Sequence, residues 1–294
     1  MRNYSSIIAL ILFFSVLLGC SKNDNVQEPE KEVIIDKTAN LLGTGDSAND
    51  ILSNDEFDKM LVEIAYVTGF RPTQASMDAF VGFLKQHTFK DQIEMVYTEL
   101  ESPNLESLEL QKIADLESEN RTAYNKGNAL AVYIYFADAP SSEDDEDEGL
   151  VTLGAVYRNT SMVIHEITVR RLAGQSPLIT NSDVETATLN HEFGHLFGLV
   201  NLGSPMVNDH EDVDAKNHCN QEGCLMRAEL QFTGFSNKSQ KFAKNNNNGE
   251  LSSACSLTGQ SVLNMLKQNV AKGNAAVPQI SSECILDLQA NGGN

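Results

Sequence analysis

The sequence predicts an α/β domain of three layers, and three observations carry that expectation. Helix-like and strand-like segments alternate along the chain from about Leu52. The run Ala129–Ala137 is continuously apolar and rich in β-formers, as a strand covered on both faces requires. The 294 residues are 41% hydrophobic and 21% charged, which is enough apolar material for a sizeable core.

The elements follow in order. Strand-like Leu61–Val67 ends where Gly69 and Pro72 turn the chain. Thr73–His87 reads as a helix, with Ala75, Ala79, Phe80, Phe83 and Leu84 near one face. Gln92–Leu100 is strand-like. Pro103 then opens a helix expected from Leu105 to about Asn120, with Leu105, Leu108, Ile113 and Leu116 as its apolar side. After the Ala129–Ala137 strand, Glu143–Glu148 (EDDEDE) is a block of like charge, expected as a solvated loop. Val151–Tyr157 and Ser161–Val169 are expected strands, separated by the polar turn Arg158-Asn159-Thr160. Ser182 and Glu185, three residues apart, fit a capping box for a helix from about Asp183 to Val200. Beyond Ala228 the signal weakens: Asn245–Asn248 reads as a loop and Ser261–Val270 as a short helix.

The N-terminus carries Arg2 and then an apolar run from Ile7 to Leu18, shorter than the roughly 20 residues that span a bilayer. It reads as the apolar region of a signal peptide. Its end, Leu17-Leu18-Gly19-Cys20, resembles a bacterial lipoprotein signal, which implies cleavage before Cys20 and acylation of that residue. The expected organisation is a signal peptide over 1–19, a polar tether over 20–50 and one domain over 51–294. Lipid would then be the only anchor, and the expected location is the cell envelope.

Lys plus Arg number 21 against 41 Asp plus Glu, a formal charge of −20. Such a surface repels nucleic acid and anionic lipid alike. With no Trp and 7% aromatics, an aromatic-lined carbohydrate groove is not expected either. Apart from Cys20 there are four cysteines, an even set suited to an oxidising compartment. Three pairings are possible; the short spacing favours a Cys219–Cys224 disulfide, leaving Cys255–Cys284.

The expected Asp183–Val200 helix contains His191-Glu192-Phe193-Gly194-His195. Histidines four apart share one helix face, so both imidazoles can reach one metal, and zinc suits imidazole donors. Glu192, next to the first ligand, is placed to take a proton from a metal-activated water. Gly198, three residues after His195, can adopt a positive φ and turn the chain back toward the metal.

Here the sequence resembles the metzincin metalloproteases, whose signature is HExxHxxGxxH followed by a methionine turn. Asn201 stands where the third histidine of that signature belongs, and Asn is a poor zinc ligand. Further on, His218-Cys219-Asn220-Gln221-Glu222-Gly223-Cys224-Leu225-Met226 is similar to the archaemetzincin continuation, in which the third His directly precedes Cys-x4-Cys-x-Met. The chain looks like that motif with Asn201–Asn217 inserted. The resemblance implies His191, His195 and His218 as zinc ligands, Glu192 as general base and Met226 as the methionine turn. His210 is the alternative third ligand, and Asp212 or Asp214 are carboxylate alternatives.

The resemblance also implies a zincin-like domain: a twisted mixed sheet, an active-site helix, an upper subdomain to about residue 200 and a smaller, irregular lower one over 201–294. Ser161, Met162, Val163, Ile164 and His165 are the candidates for a substrate-binding edge strand. Archaemetzincins hold a second, structural zinc through Cys-x4-Cys and a downstream Cys-x2-Cys. This chain lacks the downstream pair, so one zinc per chain is expected. The activity implied is zinc-dependent peptide hydrolysis, with a peptide or protein as partner. The rivals are a metal-binding surface lipoprotein without turnover and a zinc hydrolase of another amide or ester.

Overall fold

The computed structural model describes residues 36–145, 147, 149–227 and 257–294. In chain order these form α1 (Ala48–Leu52), β1 (Lys59–Val67), α2 (Gln74–His87), β2 (Gln92–Leu100), α3 (Leu110–Asn120), β3 (Ala129–Phe136), β4 (Leu150–Val151), β5 (Gly154–Arg158) and β6 (Ser161–Ile164). There follow α4 (Glu166–Ala173), α5 (Asn181–Leu196), β7 (Glu211–Asp212), β8 (Ala215–Cys219), β9 (Leu257–Thr258), α6 (Gly259–Ala271) and α7 (Ser282–Ala290). No helix among the described residues is long and apolar enough to cross a membrane.

The main sheet has the order β2-β1-β3-β6-β5. β2, β1, β3 and β6 are parallel, and β5 closes the far edge antiparallel to β6. Alternation along the buried strands splits the core in two. Val62, Ile64, Val132, Ile134 and Phe136 face one side, where α2 and α5 supply Phe80, Leu84, Phe193 and Leu196. Ala65, Val67, Tyr133 and Tyr135 face the other, against Leu108, Ile113 and Ala114. The result is the expected three-layer mixed α/β arrangement. Aromatic pairs lock α5 to α2: Phe80 meets Phe193 edge-on at 5.1 Å, and Phe83 stacks on Phe197 at 5.7 Å.

Five local expectations need correction. The third-layer helix begins at Leu110 rather than Leu105, because the Leu108 backbone is used in a bridge, its N–H to Pro140 O (2.9 Å) and its carbonyl to Ser142 N (3.0 Å). Val151–Tyr157 is two strands, not one: Asp144 Oδ1 accepts the Thr152 N–H at 2.7 Å, and β4 pairs with β9 instead. Ser161–Val169 is a strand only to Ile164; α4 begins at Glu166, supported by the Glu166–Arg170 pair one turn apart. The capping box belongs to Thr180 and Asp183, not to Ser182 and Glu185, because the helix starts earlier. Glu185 is instead buried and accepts hydrogen bonds from Thr73 N (2.9 Å) and Thr73 Oγ1 (2.6 Å), tying the start of α2 to α5.

The fifth concerns the tether. The expected tether includes residues 36–50, yet Asn40 is fully buried and its side chain binds Asn125 Oδ1, Ala131 O and Thr160 Oγ1. The signal peptide, Cys20, Asn245–Asn248 and Cys255 lie outside the described residues.

Candidate functional site

The site is built on the last turns of α5. Helical spacing sets His191 and His195 on one face, their rings edge-to-face with centroids 4.9 Å apart. Gly198 then takes φ +72° and ends the helix, and its carbonyl accepts from Ser204 N at 2.8 Å. A Cβ there would lie 2.6 Å from Ser204 N, so only glycine fits. The chain passes through β7 and returns along β8, which brings His218 to 5.4 Å from His191 and 5.0 Å from His195 by ring centroids. One ring nitrogen from each of the three lies within 4.8 Å of the others.

Two of the rings are held by backbone carbonyls. His191 Nδ1 donates to Leu225 O at 2.7 Å, and His218 Nδ1 to Lys216 O at 2.9 Å. This turns each Nε2 toward the shared centre, the arrangement that orients metal-binding imidazoles. His195 is fully buried with neither ring nitrogen hydrogen-bonded among the described residues, an arrangement that a bound cation would relieve. Burial lowers the pKa of all three imidazoles and favours their neutral forms, His218 down to about 3 and His195 well below its ordinary value, with neighbouring histidines adding to the effect at these two. Three neutral, converging imidazoles, two of them with tautomers fixed by backbone carbonyls, fit zinc.

Glu192 is fully buried beside them. Burial raises its pKa to about 8, with the Val156 backbone pulling the other way. Gly154, the first residue of β5, lets the strand approach the helix: a Cβ there would lie 2.8 Å from Glu192 Cγ and 2.9 Å from Thr188 Cγ2. Sequence reading passed over Gly154, although a glycine at a strand start is the mark of such an approach. Beneath the helix, a side chain at Gly194 would collide with Met226 Sδ, so the bare glycine and the buried methionine are complementary.

Other assignments change. Ser161, Met162, Val163 and Ile164 form a strand between β3 and β5, so they are interior and offer no edge. His165 caps the start of α4, its Nδ1 bound to Ala139 O at 2.9 Å. His210 is not near the three histidines but lies with Cys219 and Cys284. Asp212 is half-buried and Asp214 exposed; neither joins the cluster. The expected Cys219–Cys224 disulfide is absent, both residues being buried free thiols, as is Cys284. Thiol hydrogen bonds from Cys219 and Cys284 hold Cys224 well below the usual thiol range.

No protein-family profile matches the chain, and no curated protein matches it by sequence. Among solved structures it is similar to an archaemetzincin from Methanopyrus kandleri, at 14% identity and a TM-score of 0.44, covering 80% of this chain and 96% of that one.

Proposed function

We propose that the protein is a zinc-dependent peptidase, and the observation that carries this is the convergence of His191, His195 and His218 on one buried point with Glu192 alongside. Zinc, when bound, supplies Lewis acidity that acidifies a coordinated water and polarises the scissile carbonyl. The three imidazoles would hold the cation, and the Leu225 and Lys216 carbonyls keep His191 and His218 in register. Glu192 lies beside these ligands, where its ionised form would be favoured by a bound cation against the burial that raises its pKa. Glu192 then accepts the proton of the attacking water and delivers it to the leaving amine. β5, the sheet edge beside Glu192, is the strand against which an extended substrate would pair. The chain acts as an exported lipoprotein, held in the cell envelope through Cys20.

The test is cleavage of a quenched peptide library by the intact chain, with metal content measured in parallel. Glu192→Gln is expected to keep its zinc and lose about 10²–10⁴-fold in rate. A variant that cleaves as fast as the parent removes Glu192 from the mechanism. Zinc retained by the parent with no hydrolysis at all leaves a binding protein.

A further inference from the structure

A second set of donor atoms converges away from the His191 cluster. Cys219 ends β8, Cys224 lies in the loop after it, Cys284 is in the first turn of α7, and His210 immediately precedes β7. All four are at most 2% exposed. Donor atoms of His210, Cys219 and Cys284 lie within 4.8 Å of one another, and Cys224 Sγ is 3.7 Å from Cys284 Sγ. Tetrahedral zinc with thiolate bonds of about 2.3 Å needs sulfurs about 3.8 Å apart.

His210 shows which way the site faces. Its Nε2 is bound to Asp287 Oδ2 at 2.8 Å, and Asp287 Oδ1 is itself fixed by Val207 N at 2.7 Å. A carboxylate partner makes Nε2 the protonated nitrogen and leaves a lone pair on Nδ1. That Nδ1 is buried without a hydrogen bond among the described residues. Carboxylate to imidazole to metal is the usual arrangement around a coordinating histidine. A disulfide explains less, because three thiols cannot all pair and His210 Nδ1 would stay unsatisfied.

We infer that Cys219, Cys224, Cys284 and His210 form a closed second centre for a thiophilic divalent cation of the zinc class, with Asp287 orienting His210. Two of these donors stand in the motif that carries the family resemblance. His210, Cys284 and Asp287 do not, and the single zinc expected from the sequence becomes two. With four protein donors the centre keeps no open position, so its work is structural. It clasps the segment ahead of β7, the loop after β8 and α7 together. Cys219 follows His218, and Cys224 precedes the Leu225 carbonyl that holds His191. Order at the second centre is therefore imposed on the first.

The experiment is metal analysis and cobalt(II) loading of the intact chain, purified without chelators. About two metals per chain are expected, with thiolate-to-cobalt charge-transfer absorption. His210→Ala and Cys284→Ser should each lower the content to about one and remove or shift that absorption. His191→Ala should lower the content while keeping the absorption, which separates this inference from the peptidase reading. Should Cys284→Ser fail to fold, the parent spectrum decides alone. Absence of the charge-transfer band, or a Cys224–Cys284 disulfide in the peptide map, overturns the proposal.

Discussion

The two donor clusters are assembled in opposite ways. In the first, two of three imidazoles come from one helix four residues apart, and only His218 arrives from elsewhere. In the second, His210, the Cys219–Cys224 loop and Cys284 come from three segments, and none shares a helix or strand with another. The first can be half-formed by local helix propensity before the fold is complete. The second exists only once α7 has docked. A helix thus makes a candidate metal site legible from a five-residue word, whereas a candidate site built from loops leaves only scattered cysteines.

The sharpest way to break this comparison is to remove one histidine from each cluster. His218→Ala should release the metal of the first and abolish metal-dependent hydrolysis, while His210→Ala should leave that metal in place. Metal content after gel filtration reads both, and a His218→Ala protein that keeps its full complement defeats the assignment. Asp287→Asn comes next. It leaves all seven donors intact yet should weaken metal binding at the thiol centre by about 10–100-fold, measured by chelator competition.

Smaller effects probe how each cluster is held. Gly194→Ala forces a methyl against Met226 Sδ and should cost about 1–3 kcal/mol in urea unfolding. Equal midpoints would mean that Met226 moves aside freely.

Glu166 gives a pH signature to the helix side. Burial raises its pKa to about 8, and the nearby Glu185 carboxylate adds to this. The neutral form is the one the fold prefers, so the stability it contributes is present below the ordinary carboxylate range and lost as pH rises from there through about 8. Glu166→Gln should flatten that decline, leaving the variant relatively more stable than the parent at alkaline pH. Parallel pH dependences in thermal melts would remove Glu166 as the cause. The smallest expected change is Thr180→Ala, which deletes the cap of α5 for about 1 kcal/mol.

Much of the sheet was legible because burial on both faces demands unbroken apolar runs, as in β3. Three of the errors share one physical cause. Thr152, Leu108 and Glu185 each use polar groups across the fold, to Asp144, to the 140–142 backbone and to Thr73, and sequence spacing carries no sign of such partners. The same holds for His210. Offered as an alternative third ligand beside His191 and His195, it lies instead with Cys219, Cys284 and Asp287.

By itself, then, the sequence determined the α/β layering, the helix that sets His191, Glu192 and His195 on one face, and the glycine that ends it. These depend on periodicity and on one residue's backbone freedom, both local properties. Tertiary structure alone decided that β5 and not Ser161–Ile164 is the edge, that Gly154 admits the strand to Glu192, and that Cys219 and Cys284 meet His210 as free thiols. Those outcomes rest on which distant segments share the interior, and chain order does not encode that distance.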